Sequence, residues 1–259
     1  MIDPNLFHAV DAMHTNTTLS NEDRVRLHFK ETGPSGKGQA YQTKLLSLEG
    51  LRVVRDEMDK ATSSKIPLRR PNGMNRHGFI IDEKVDGANS LLTLTDFIQN
   101  LIDDIGRPAG RMLFADSVGG EDDIEYFAFT IRYNAEEDLE LKEHRDASVV
   151  TLNINLNLPE ENYDGSSLYL LDEDSGTREY IAFEPGMMLI HRGSLRHATL
   201  PITEGTRYNL VVWLFGEGGS VRVSPYADGE RLNLEQRWER PDSKTKRVGN
   251  GNNTFLFEL

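Results

Sequence analysis

The sequence predicts an α+β fold that is mainly β: a jelly-roll core, or double-stranded β-helix, buttressed by helices from the N-terminal side. Three observations predict it. After Asp123 the chain breaks into short runs of alternating polarity separated by turn residues. Many short strands without intervening helices indicate a sandwich or a barrel, and the jelly roll is the version that commonly carries metal sites. Helical periodicity is confined to the residues before that point, an order that places helices against one face of a sheet. Lastly, His144 and Asp146 stand two residues apart with His197 far behind them, a spacing that an extended scaffold can bring to one point.

In chain order, residues 1–45 are polar and mixed, with a short helix expected near residues 5–13 and a loop at TGPSG (32–36). Residues 46–61 put Leu46, Leu48, Leu51, Val54 and Met58 near helical spacing. An arginine-bearing loop, RRPNGMNR (69–76), precedes the expected strand HGFIID (77–82). From 91 to 114 a helix carries Leu94, Phe97, Ile98, Leu101 and Ile102 on one face, with Gly106 and Pro108 interrupting it. Strands are expected at 124–134, 148–158, 167–172, 180–184, 187–192, 196–200 and 206–215, with turns at Asp164-Gly165, Glu184-Pro185-Gly186 and Glu204-Gly205. The whole reads as one domain: a supporting region over 1–122, a strand core over 123–216, and an extension over 217–259.

Composition narrows the function classes. A net charge of −13 repels polyanions, which argues against nucleic acid and anionic membranes as partners. No run approaches the roughly 18 to 20 apolar residues that span a bilayer. The N-terminal stretch has no basic region followed by an apolar core, and there are no cysteines. A reducing, cytoplasmic location is the expectation.

Two imidazoles and one carboxylate form the ligand set that holds non-haem Fe(II) while leaving positions open. His144 and Asp146 point to one side of a strand, and the third ligand must come from a distant one. His197 fills that role better than His191, because Arg207 follows His197 by ten residues. Across a tight Glu204-Gly205 connection, Arg207 is expected opposite Leu200, roughly 10 Å along the backbone from His197. A guanidinium there suits the far carboxylate of a bound dicarboxylate, because its planar fork pairs bidentately and keeps its charge.

The segments TIRYNAEEDLELKEHRDASVVTLNINLN (130–157), NYDGSSLYLL (162–171) and PGMMLIHRGSLRHATLPITEGTRYNLVVW (185–213) resemble the catalytic domain of Fe(II)/2-oxoglutarate-dependent dioxygenases. The likeness is nearest to the procollagen lysyl hydroxylase and prolyl 4-hydroxylase branch, and residues 69–82 are similar to the approach segment of related oxygenase-domain proteins. The pattern departs at GSSL (165–168), where the family carries a glycine-richer run. This resemblance implies a cupin-like core and an oxidoreductase using Fe(II), 2-oxoglutarate and O2, with ascorbate a candidate auxiliary. It implies His144, Asp146 and His197 as metal ligands and Arg207 as the anchor of the 2-oxoglutarate 5-carboxylate. Tyr133, Asn153 and Asn209 become cosubstrate contacts. Asn72, Asn75, Arg76, Arg192 and Arg196 are candidates for the substrate mouth, with the 72–76 loop as a lid. The implied reaction couples decarboxylation of 2-oxoglutarate to succinate with C–H oxidation, by hydroxylation, cyclisation or desaturation. Its expected substrate is an amino-acid-like small molecule. The alternatives are a lysyl or prolyl side chain of a protein, or a non-catalytic binding role on the same scaffold.

Overall fold

The computed structural model describes residues 20, 23, 27–34, 38–63, 77–81, 92–119, 123–216, 220–221, 232–233, 236 and 246–247. Two sheets face each other. The larger has the order β1-β2-β9-β5-β11-β3-β12, with β6 also pairing β11; the smaller has the order β4-β10-β7-β8. In chain order the strands are β1 (Lys30–Thr32), β2 (Ala40–Lys44), β3 (Glu125–Asn134), β4 (Leu141–His144), β5 (Val150–Asn155) and β6 (Tyr163–Gly165). They continue as β7 (Leu168–Asp172), β8 (Thr177–Tyr180), β9 (Met187–Arg192), β10 (His197–Thr199), β11 (Ile202–Phe215) and β12 (Lys246–Arg247). The jelly-roll expectation holds.

Strict alternation explains why the large sheet has two different faces. Leu210, Val212 and Leu214 of β11, Leu152 and Ile154 of β5, and Tyr126 and Ala128 of β3 join the helical layer in one core. The intervening residues Val211, Trp213, Phe129, Ile131 and Tyr133 form a second core facing the smaller sheet. A leucine or isoleucine fully buried in this way contributes about 1.5–3 kcal/mol.

The helical layer comprises α1 (Leu48–Ser63), α2 (Leu92–Leu101) and α3 (Arg107–Leu113). The interruption expected at Gly106 and Pro108 is a change of helix type rather than a break. A π-helical turn over Ile102–Gly106 carries α2 into α3, and the Arg107 N–H reaches back to the Ile102 carbonyl. Pro108 has no N–H to give to the preceding turn, and the widened turn absorbs the mismatch.

Several expectations need correction. Residues 30–44 supply two strands to the main sheet, so the N-terminal third is part of the core as well as its support. The strand expected at 180–184 lies upstream, at Thr177–Tyr180; Ile181 and Phe183 instead fill the space between the sheets. The strand expected at 77–82 is an isolated bridge, Ile80 to Phe129. Glu204-Gly205 is not a turn: β11 runs through it, and Gly205, at φ 76°, makes a left-handed kink paired with Tyr163. Only Leu200 and Pro201 separate β10 from β11. Arg207 therefore pairs with Tyr133 in the larger sheet, and His197 pairs with His144 in the smaller. The two residues therefore stand in different sheets rather than along one hairpin. The expected helix at 5–13 and the loop over 69–76 lie outside the described residues.

Candidate metal centre

β4 and β10 are antiparallel neighbours, and their register sets His144 directly opposite His197. Their rings stand 4.3 Å apart, centroid to centroid. Asp146 follows β4 just before a bend, tied down where its N–H donates to the Gly193 carbonyl at 2.9 Å. His144 Nε2 is 3.4 Å from Asp146 Oδ1, and His197 Nε2 is 3.8 Å from the same oxygen. One ligand atom from each residue lies within 4.8 Å of the others. Such a set can close on one ion with only small adjustments.

The tautomers are set from behind. Nδ1 of His144 donates to the Lys142 carbonyl at 2.7 Å, and Nδ1 of His197 donates to the Leu195 carbonyl at 2.9 Å. A neutral ring that donates from Nδ1 keeps its lone pair on Nε2, which is how a backbone carbonyl behind the ring prepares an imidazole to bind metal. Burial and the nearby His144 charge push His197 down to about 3, so its ring is neutral across the physiological range. Burial also opposes a charge on Asp146, but the surrounding histidines outweigh it and hold the carboxyl below its ordinary range. Burial acts downward on His144 too, yet the Asp146 carboxylate beside it wins and raises its pKa. Three groups that present lone pairs to one another thus favour a positive charge among them. This donor set fits Fe(II).

Arg207 is 1% exposed. One of its amino groups donates to the carbonyl of Ser166 and, at 3.3 Å, to its hydroxyl; Nε and the other amino group have no partner. A buried guanidinium without a facing carboxylate costs several kcal/mol, a cost that a bound anion would offset. The Tyr133 and Phe183 rings flank it, 5.8 and 5.4 Å from their centroids. Burial raises the Tyr133 pKa despite the neighbouring arginine, and the hydroxyl pairs with Thr199. Tyr133, Thr199 and Asn153 line one pocket with His144, Asp146 and His197. Asn209 donates to Asn153 Oδ1 at 2.5 Å, while its own Oδ1 is unpartnered. Asn155, by contrast, is consumed by the backbone of Phe183 and Asn157.

Two candidates for the mouth make their contacts away from the pocket lining. The Arg192 guanidinium binds the Gly38 carbonyl and Asp116 and lies 5.0 Å over the Phe114 ring, on the helical side. Arg196 sits one residue before His197 and therefore on the opposite face, where it approaches Glu143 and Glu173. Asn72, Asn75 and Arg76 lie outside the described residues. Sequence reasoning missed Thr151, which hydrogen-bonds Asp146, and Ser166, whose left-handed φ of 50° presents its carbonyl to Arg207. A non-glycine residue in the run flagged as atypical was the available signal for Ser166. His191 does not replace His197: its Nε2 faces Asp146 Oδ2 at 3.8 Å from outside the three-residue cluster.

No family model matches the chain. The chain is 33% identical over 180 residues to the 2-oxoglutarate and iron-dependent oxygenase domain-containing protein 2 of Xenopus tropicalis, covering 68% of this chain and 48% of the relative. It is 31% identical over 201 residues to the oxygenase domain-containing protein ICU11 of Arabidopsis thaliana, covering 71% and 48%. Over a shorter stretch of 83 residues it is 41% identical to the procollagen-lysine,2-oxoglutarate 5-dioxygenase 1 of Rattus norvegicus, covering 31% and 11%. The chain spans about half the length of the first two relatives. Its fold is similar to that of the crystallised non-heme alpha ketoglutarate dependent carbocyclase SnoK from nogalamycin biosynthesis. The TM-score is 0.51 at 13% identity, over 77% of this chain and 85% of that one. A likeness of this extent in sequence, on an architecture of the same kind, makes the chain a member of the 2-oxoglutarate and iron-dependent oxygenase family.

Proposed function

We propose that the protein couples decarboxylation of 2-oxoglutarate to succinate with oxidation of a C–H bond in an amino-acid-like small molecule. The observation that carries this reading is a cluster of three prepared lone pairs in a pocket lined by Tyr133, whose ring also flanks an unmatched buried arginine. His144, Asp146 and His197 would hold iron. Arg207 would take the distal carboxylate of 2-oxoglutarate, with Tyr133, Asn153 and Asn209 offering polar contacts along it. Bound iron supplies the activation of dioxygen that the cosubstrate's decarboxylation drives. The chain's own share is to orient and to exclude water. Phe129, Ile131, Val211 and Trp213 wall the pocket with apolar surface.

Among the described residues lining that pocket, Asp146 is the one carboxylate, and the metal claims it. A cationic group next to the reacting carbon would lack a counter-charge, which favours an uncharged stretch of substrate there. A second reading, oxidation of a lysyl or prolyl side chain in a protein, draws support from the similarity to the procollagen-lysine dioxygenase. The experiment that separates them loads the protein anaerobically with Fe(II), 2-oxoglutarate and either a metabolite library or a peptide library, admits oxygen, and analyses the products by mass spectrometry. Gain of one oxygen atom marks hydroxylation, and loss of two hydrogens marks cyclisation or desaturation. Asp146→Ala or His197→Ala abolishes iron-dependent succinate formation. Parent-like turnover in either variant would remove the ligand assignment.

A further inference from the structure

We propose that Thr151, backed by Ser148, is a positioning residue that decides which oxygen of Asp146 the metal receives. The inference rests on the reading of His144, Asp146 and His197 as iron ligands. All the groups involved are sequestered: Thr151 is 1% exposed, Ser148 0% and Asp146 3%. The Thr151 hydroxyl donates to Asp146 Oδ2 at 2.7 Å and lies 2.8 Å from Ser148 Oγ.

A hydroxyl has one proton to give. Thr151 commits its proton to the carboxylate, so it can only accept from Ser148, and the direction of the relay is set: Ser148 to Thr151 to Asp146. The two carboxylate oxygens therefore have different surroundings. Oδ2 is held by the relay, whereas Oδ1 faces Nε2 of His144 at 3.4 Å and Nε2 of His197 at 3.8 Å. His191 Nε2 stands 3.8 Å from Oδ2, too far for a hydrogen bond, so the grip on that oxygen comes from the threonine. A carboxylate restrained in this way offers the metal one oxygen and leaves free a position that a chelating carboxylate would occupy. Open positions are what a bidentate cosubstrate and dioxygen require of a facial triad.

The fold supplies the relay through a close backbone approach. Ser148 lies in the bend between Asp146 and β5, beneath the turn that follows β9, and the Gly193 N–H donates to the Val149 carbonyl at 3.1 Å. A Cβ on Gly193 would stand 1.9 Å from the Ser148 carbonyl oxygen and 2.5 Å from Ser148 Oγ. Glycine at 193 is what allows the serine to stay under the threonine.

The test titrates the parent, Thr151→Val and Thr151→Ser with Mn(II) alone, reading affinity and the number of metal-bound waters from water-proton relaxation. Asp146→Ala marks the site. Thr151→Val keeps the shape but deletes the donor; it binds about 10- to 100-fold more weakly, as loss of an outer-shell partner does. It also retains fewer waters, because the freed Oδ2 turns onto the metal. Thr151→Ser restores both readings. Ser148→Ala moves them in the same direction by less, and it carries the test if Thr151→Val does not fold. Parent-like affinity and water count in Thr151→Val, or failure of Thr151→Ser to recover them, overturns the inference and leaves the metal centre standing. A parent that binds no Mn(II), or an Asp146→Ala variant that binds it as the parent does, overturns the ligand assignment and the inference together.

Discussion

Arg207 shows how burial turns one residue into a prediction. Its guanidinium lies inside the sandwich with two of its three nitrogens unpartnered, so in the free protein its charge is a cost rather than a support. Replacement by methionine keeps the bulk and removes the charge. The substitution raises the KM for 2-oxoglutarate about thirtyfold, the effect of losing about 2 kcal/mol of charge-assisted hydrogen bonding. It leaves the melting temperature without ligand near the parent's, because exchanging a buried unmatched charge for an apolar group is close to neutral. An unchanged KM, or a large fall in ligand-free stability, would mark a structural arginine instead. The histidines give a pH prediction. His197 is held near 3, and His191, mainly by burial, is lowered as well. Below about pH 6.5 the unfolded chain takes up protons at both that the folded chain refuses, so acid favours unfolding. Asp146, whose pKa is depressed, adds its own loss only below its ordinary range near pH 4. The contribution of His144, whose pKa is raised, is complete below pH 6.5 and so stays constant there. With metal chelated away, unfolding free energy therefore drops by about 1.4 kcal/mol per pH unit through His197 below pH 6.5, and His191 adds to the loss in the same direction. His197→Gln makes that slope shallower. Urea unfolding at pH 6.5 and 4.5 measures both, and equal slopes would contradict the assignment.

At the scale of elements, the turn between β9 and β10 does more than join strands. Its three successive carbonyls, Gly193, Ser194 and Leu195, accept from the Asp146 N–H, the Arg145 side chain and His197 Nδ1. Gly193→Ala forces a Cβ into the Ser148 backbone and should displace the bend that follows Asp146. The expected result is a loss of about 1–3 kcal/mol, the usual range for overpacking, with weakened metal binding read by the same Mn(II) titration. Parent-like stability and affinity would show that the bend tolerates the change. The elements that could be read from the chain were those with apolar runs: β3, β5, β7, β9, β10, β11 and both long helices. Those that could not were short and polar. Thr177–Tyr180 is mostly exposed at a sheet edge, so nothing in it alternates, while the apolar Ile181 and Phe183 beside it suggested a strand and instead became filler. The candidate ligands were legible as a His-x-Asp pair followed by a distant histidine, although Asp146 lies just past the end of β4 rather than within it. Thr151 and Ser148 were not, because their partnership with Asp146 depends on a bend and a glycine contact that no period encodes.

The whole molecule is a sandwich with a division of labour. One sheet carries Arg207, Tyr133, Asn153 and Asn209; the other brings His144 and His197 together by register. The site therefore exists only when the two sheets are closed on each other, and the helices packed behind the larger sheet hold it in place. Among the described residues no helix is long and apolar enough to cross a membrane. The central claim is that two histidines and an aspartate grip one ferrous ion while an arginine from the opposite sheet anchors its keto-acid partner. The most direct measurement is an anaerobic crystal structure with Fe(II) and 2-oxoglutarate. The account predicts iron bonded to His144 Nε2, His197 Nε2 and Asp146 Oδ1, with the distal carboxylate on Arg207. Iron seated elsewhere, His191 in place of His197, or a carboxylate away from Arg207 would contradict it.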